Sequence, residues 1–157
     1  MSVQSVAPKD PRNLQEFRRI LVAVDGSENA SRAAKVAVTL AKKFGAELVA
    51  CHVIPMPNSP FVEIDLKSIY FDQARKNAKT LLSKVIKLAE ADGVKASELL
   101  TEGLSSVVEA ITNNASNCNA DLIVIGTRGQ TAFKKLLLGS VSSGVLSHAH
   151  CSVLVVR

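Results

Sequence analysis

Four short apolar runs restrict how this chain can fold: Ile20-Leu-Val-Ala-Val24, Leu48 to Ile54, Leu122-Ile-Val-Ile125 and the terminal Ser152 to Val156. Residues in the first and third are apolar without interruption, whereas a strand with one wet face alternates apolar and polar positions. A continuous run marks a strand covered on both sides, the usual condition of a parallel sheet between helical layers. The intervening segments have helical spacing. Ala30, Ala33, Ala34, Ala37, Leu40, Ala41 and Phe44 repeat at three and four residues and stop at Gly45. After the proline-containing stretch Pro55 to Pro60, Ala74, Ala78, Leu81, Leu82, Val85 and Leu88 trace a long amphipathic helix closed by Gly93. A weaker strand is expected near Ala96 to Leu100. Leu104, Val107, Val108, Ile111 and Ala115 then mark a third helix, with Ser106 and Glu109 spaced as a capping box. A last helix opens near Gly139. Five strands alternating with helices predict an α/β fold: an open, five-stranded parallel sheet with right-handed crossovers and helices on both faces.

A chain of 157 residues suits one compact domain, which buries roughly two-thirds of the surface its unfolded form exposes. No Gly-, Ser- or Pro-rich linker, internal repeat or low-complexity tract divides it. Residues 1–17 read as a polar extension lacking the apolar centre of a secretory signal, and residues 18–157 as the domain. Its apolar runs are strand-sized, far short of the roughly twenty residues of a membrane span, so a soluble protein is expected. Cys51, Cys118 and Cys151 are odd in number and widely separated, which argues against a disulfide scaffold or a zinc site and favours a reducing cytoplasm.

The net charge of +5 raises the question of nucleic acid, and the placement of the nineteen basic residues answers it. Arg18 and Arg19 precede the first strand, Lys42 and Lys43 close a helix where cations suit the dipole, and Arg75, Lys76, Lys79, Lys84 and Lys87 decorate the long helix. With no Trp and one Tyr there is no stacking platform, and no specific nucleic-acid partner is expected.

Chemistry concentrates behind the third apolar run, in Gly126-Thr127-Arg128-Gly129 followed after nine residues by Gly139-Ser140. A strand running into a glycine turn, with a glycine-hydroxyl pair opening a helix, aims backbone N–H groups at an anion. This is a phosphate cradle of neither common type. No glycine stands at the right offset before Gly-Lys-Ser/Thr, and Val24-Asp25-Gly26-Ser27 replaces the Gly-x-Gly-x-x-Gly that would follow a first strand in a dinucleotide-binding fold.

The pattern Gly-x-x-Gly, nine residues, Gly-Ser resembles the nucleotide-binding signature of the universal stress protein family, in its ATP-binding branch. Ile20 to Ser27, Cys51-His-Val-Ile54, Leu137-Leu-Gly-Ser-Val141 and Val153 to Val156 look like that family's landmarks, in its order. The resemblance covers about Arg18 to Arg157. It implies a Rossmann-like sheet of order 3-2-1-4-5, in which the ends of the first and fourth strands meet. It also implies a site. The turn of Gly126, Thr127, Arg128 and Gly129 would lie against ribose and phosphates, and Gly139, Ser140, Val141 and Ser142 would offer helix-start amides and hydroxyls to phosphate oxygens. Asp25 would sit near base and ribose, with Ala23 and Val24 supplying main-chain contacts and Val53 packing against adenine. Asp25 also stands where it would cap the helix that follows. Lys134 and Lys135 fall in a segment that varies in the family and stay outside the core site.

For function, the resemblance implies an ATP-binding regulator of the stress response that works by binding, with AMP or a cyclic nucleotide as related ligands. A homodimer through the last strand goes with it. The alternative is a slow ATPase or phosphotransferase in which Asp25 holds a divalent ion, Mg or Mn; a member that has lost its nucleotide is a third reading, opposed by the glycines. No catalytic residue is assigned: paired carboxylates and a P-loop lysine are absent from the sequence, and Ser140 has no adjacent base. His52 reads as a packed, hydrogen-bonded strand histidine, and His148 and His150 flank a turn without metal-ligand spacing.

Overall fold

The computed structural model describes residues 17–57, 64–104, 106–128 and 138–157. Along these, β1 (Arg19–Ala23), α1 (Glu28–Phe44), β2 (Glu47–Pro55), α2 (Ile64–Ala91), β3 (Ala96–Leu104), α3 (Val107–Asn117), β4 (Leu122–Gly126), α4 (Ser140–His148) and β5 (Ser152–Val156) alternate without exception. The five strands form one sheet in the order β3-β2-β1-β4-β5, and every neighbouring pair is parallel. Fold class, strand order and helical alternation agree with the expectation.

Each strand supplies both layers of the core. From β1, Ile20 and Val22 face α1 and α2 together with Leu48, Ala50 and Val124, while Leu21 and Ala23 face α3 and α4 with Val49, Val53 and Ile123. Double coverage explains the uninterrupted apolar runs: no position in β1 or β4 after Arg19 has a wet side. The alanine stripe of α1 has the same cause. Ala33, Ala37 and Ala41 are wholly buried, and their small side chains let the helix axis close on the sheet.

Local signals set the helix ends. Ser27 accepts a hydrogen bond from the Ala30 amide (3.1 Å) as the N-cap of α1. At the other end Gly45 takes the left-handed conformation at φ 64°, and its N–H and that of Ala46 return to the carbonyls of the last turn. Ser106 caps α3 by accepting from the Glu109 amide (3.2 Å). The strand bounds shift by a residue at β1 and β2, and the boundary between β3 and α3 differs more from the expectation. Helical spacing assigned Leu104 to α3, but β3 continues to Leu104 because its whole length pairs with β2, from Leu48↔Ala96 to Pro55↔Leu104, with a register shift between Ile54 and Pro55. An eight-pair ladder outweighs a weak local pattern.

At the N-terminal ends of β1 and β4, Asp121 Oδ2 accepts the amides of Arg18 and Arg19 at 2.9 and 3.0 Å. Glu47 pairs with Arg19 (2.8 Å) and with Lys95, and the lysine first and the arginine second hold its carboxyl below the usual carboxylate range. Phe17 stacks edge-on against Phe44, ring centres 5.2 Å apart. Of the two sheet edges, β5 is the more apolar, and its Leu154 remains 36% exposed. Among the described residues no helix is long and apolar enough to cross a membrane.

Because a Cβ at Gly45 meets nothing within 4 Å, its substitution isolates the backbone cost of the left-handed cap. Gly45→Ala is expected to cost about 1 kcal/mol and lower the melting temperature by roughly 2–4 °C, read by calorimetry.

Candidate functional site

The strand order reverses between β1 and β4, since the chain leaves β1 toward β2 on one side and finds β4 on the other. The loops beyond such a pair part company and leave a crevice at the C-terminal ends. Here that crevice is a cleft of about 940 Å3. Ala23 pairs with Ile125 across the sheet, so Asp25 and Gly126, about a hundred residues apart in sequence, arrive at the same opening.

On the β1 side, the Val24 amide still donates to Cys51 O (2.9 Å), while the Val24 carbonyl turns to His52 Nδ1 at 2.7 Å. Asp25 Oδ1 accepts the Ser27 amide (2.9 Å) across Gly26, which has φ 85°. The helix cap itself is Ser27, and Asp25 braces the turn leading into it.

On the β4 side, three hydrogen bonds fasten the start of α4 to the end of the strand. The Gly139 amide donates to Thr127 O (2.7 Å), and the buried Ser142 hydroxyl lies 2.8 Å from Gly126 O and 3.1 Å from Thr127 O. Thr127 in turn donates its amide to Val156 O at 2.7 Å. The first turn of any α-helix carries amides without intrahelical acceptors, and here that turn, through Ser140 and Val141, opens on the cleft with the positive end of the helix dipole. Gly139 is its N-cap and contributes no side-chain cap bond.

Of the residues the sequence singled out, Ala23, Val24, Asp25, Val53, Gly126, Arg128, Gly139, Ser140 and Val141 line this one cleft. Thr127 and Ser142 do not: their polar groups hold α4 against β4. Gly129, Lys134 and Lys135 lie outside the described residues. Gly126 has a reason internal to the fold, because a Cβ there would stand 2.9 Å from Asn29 C and Cβ and 3.0 Å from Ala30 N. Glycine thus lets the first turn of α1 press against the end of β4.

Sequence reasoning missed the far wall. Tyr70, Ala74, Asn77, Ala78 and Leu81 of α2, with Val107 and Ile111 of α3, complete the lining. Helical spacing marked Ala74, Ala78, Leu81, Val107 and Ile111 as packing residues and left Tyr70 and Asn77 unmarked, and nothing in that spacing separates a face that meets a neighbour from one that meets a cavity. His52 joins the lining as well, in the hydrogen-bonded strand position expected for it. Burial pushes the Cys51 thiol up to about 11, against a smaller opposing effect of the Asn114 amide, so it lines the cleft as an unreactive thiol. Among the described lining residues Asp25 is the one carboxylate and Arg128 the one guanidinium.

A sequence model of the universal stress protein family matches residues 16–157. The chain belongs to the universal stress protein family. A universal stress protein of Methanocaldococcus jannaschii is 38% identical over 144 residues, which span 90% of this chain and 82% of the relative. Among solved structures, hypothetical protein MJ0577 superposes with a TM-score of 0.80 at 28% identity, covering 90% of this chain and 96% of that one. A universal stress protein solved in complex with cAMP superposes with a TM-score of 0.66 at 25% identity, over 91% and 98% of the two chains. The five-stranded architecture of this universal stress protein is therefore shared with solved relatives along nearly its full described length.

Ser142→Ala should show how far the α4 anchor depends on one hydroxyl. Removing it takes a donor from two carbonyls at a buried site, an expected loss of about 1–3 kcal/mol. Chemical denaturation measures it, with the slope unchanged if the native fold persists.

Proposed function

We propose that this universal stress protein binds an adenine nucleotide, ATP in the first instance, in the cleft between the ends of β1 and β4, and regulates the stress response by binding rather than turnover. The observation that carries the reading is the convergence, on one cleft, of the α4 start with Gly139, Ser140 and Val141, and the β1 end with Val24 and Asp25. A triphosphate finds helix-start amides and Arg128 at one end, and a base and ribose find Val53, Asp25 and the apolar faces of α2 and α3 at the other. A cleft of about 940 Å3 lies in the range typical of small-molecule sites. The cAMP complex of a structural relative supports the ligand class, since amides that receive one phosphate serve a longer chain of them.

Binding rather than catalysis suits a described lining with one carboxylate and no lysine. The described residues contain no cluster of three His, Cys, Asp or Glu for a metal. A divalent ion accompanying the nucleotide would therefore be held by phosphate oxygens, with Asp25 as the nearest carboxylate on offer. A reducing cytoplasmic setting goes with the reading, since Cys51, Cys118 and Cys151 are all free thiols.

Titration calorimetry with ATP tests the proposal, followed by chromatography of the nucleotide released on denaturation; intact ATP is expected. Gly139→Asp supplies the discriminating variant. The N-cap conformation at φ −71° and ψ 160° is open to any residue, but a Cβ there comes to 3.2 Å from Thr127 O, so Gly139→Asn, which has the same size and cap without the charge, is the control for Gly139→Asp, whose aspartate caps α4 while setting a negative charge against the phosphates. ATP affinity is expected to fall at least tenfold or so with the fold retained. Equal affinity in the variant overturns the phosphate placement.

We also propose that the chain forms a homodimer through β5. Among the described residues that strand ends the sheet with an unpaired row of backbone groups, which includes Leu154 and lies beside the 52% exposed Leu146 of α4. Light scattering should report twice the monomer mass, and Leu154→Lys should reduce it to the monomer.

A further inference from the structure

The sheet edge at β3 and the flank of α2 beside it carry groups that the cleft does not use. The Leu48 amide donates to Lys95 O at 2.9 Å, and Leu48 is in register with Ala96. In a parallel ladder a residue bonds to the two neighbours of its partner, so Ser97, Leu99 and Thr101 turn their backbone groups toward β2. Ala96, Glu98 and Leu100 turn theirs the other way, where β3 ends the sheet and no strand follows among the described residues. Side chains alternate too. Ala96 packs into the core layer under α1 and α2 and Leu99 into the layer under α3 and α4, so Glu98 and Leu100 stand on the α2 side. Both are exposed, Leu100 by 40%.

Along this edge α2 presents a basic groove. Ala74, Ala78 and Leu81 line the nucleotide cleft, whereas Lys79, Lys84, Ile86 and Lys87 border a separate hollow of about 530 Å3 that reaches Glu98 of β3. At about 3.6 residues per turn the two sets occupy different flanks of the helix. Arg75 fixes the distance between helix and strand, because its Nε and Nη2 donate to Glu102 Oε2 and Oε1 at 2.7 and 2.6 Å. Among the described residues neither Lys79, Lys84 and Lys87 nor Glu98 takes part in an ion pair. Three cations against one carboxylate leave the groove a net positive charge.

We infer that the β3 edge and this groove form a docking surface for an extended acidic segment of another protein, which adds a strand beside β3 and sets its carboxylates against Lys79, Lys84 and Lys87. The outward backbone groups of Glu98 and Leu100 supply the main-chain bonds, and the added strand covers Leu100. The spacing fits. Lys79 and Lys87 stand about 12 Å apart along the helix axis, and carboxylates four residues apart on one face of a strand are separated by about 13 Å. A second copy of this chain matches less well: β5 has no acidic residue, and antiparallel pairing of two β3 edges sets one lysine flank against another. Nucleic acid satisfies the lysines but leaves the strand edge unused.

Calorimetry on the unaltered protein, with a blocked peptide of alternating Glu and Val as long as β3, provides the first test. Saturable binding is expected, with the outward amides of Glu98 and Leu100 slowed about tenfold in hydrogen exchange. The same peptide N-methylated at every residue keeps its charges but cannot donate to β3, and it is expected to bind about tenfold weaker or less. Two altered proteins divide the surface into its parts. Lys79→Glu with Lys87→Glu removes the charge match, and Leu100→Pro removes an outward amide while leaving the ladder to β2; each is expected to weaken the peptide by about tenfold. Absence of peptide binding overturns the proposal, and so does parent-like affinity of the methylated peptide or of either folded variant. Single-stranded oligothymidylate binding tighter than the peptide identifies a polyanion surface and overturns it too. Light scattering covers the remaining occupant: association beyond a dimer without peptide, abolished by Leu100→Pro, assigns the edge to a second copy and overturns the docking of another protein.

Discussion

The grip of α4 on the end of β4 is the constraint from which the cleft follows. A helix that starts beyond a parallel strand has its positive pole pointing back over the sheet, but a loop of unspecified length would let it wander. Here the Gly139 amide and the Ser142 hydroxyl take hold of the carbonyls of Gly126, the last residue of β4, and Thr127, the residue after it. The helix start is placed by the strand end itself. Its open amides therefore stand at a set position relative to β1, which pairs with β4 from Ile20 to Ala23.

The same economy appears on the β1 side, where three polar groups at the strand end have partners inside the protein. The Val24 carbonyl is held by His52, the Asp25 carboxylate braces the turn to α1, and Ser27 caps that helix. Close approach of α1 is possible because Gly126 has no Cβ to meet Asn29 and Ala30. Two helix starts, α1 and α4, thus crowd the ends of two central strands, and a preorganised opening of this kind loses little conformational entropy when an anion arrives.

Much of this was legible in the sequence because the signals are local and strong. Uninterrupted apolar runs identified doubly covered strands, Gly45 and Gly93 marked helix ends in the left-handed conformation, and Ser106 stood at its cap. The weak elements were read less well. β3 is half exposed and polar, so its true length depends on pairing with β2, a contact no window of residues contains. In the site, the glycine spacing pointed to the end of the sheet where the cleft lies, yet the roles divided in ways spacing does not show. Ser142 and Thr127 have the same residue types as groups that touch a ligand, and only their hydrogen bonds reveal that they hold helix to strand. Ala74, Ala78 and Leu81 looked like any packing stripe, because an apolar helix face carries no mark of whether a neighbour or a cavity lies opposite.

What the amino-acid order determined without help is the class of fold and the place of the glycine turn after β4, since periodicity, caps and glycine positions act over a few residues and are written in them. The strand order was implied by resemblance and confirmed in the sheet. Tertiary structure decided which polar groups face the cleft and which are engaged within the fold, because that depends on contacts between segments as far apart as Val24 and His52 or Gly126 and Ser142. Hydrogen-bonding capacity belongs to the residue, but its availability belongs to the packing around it.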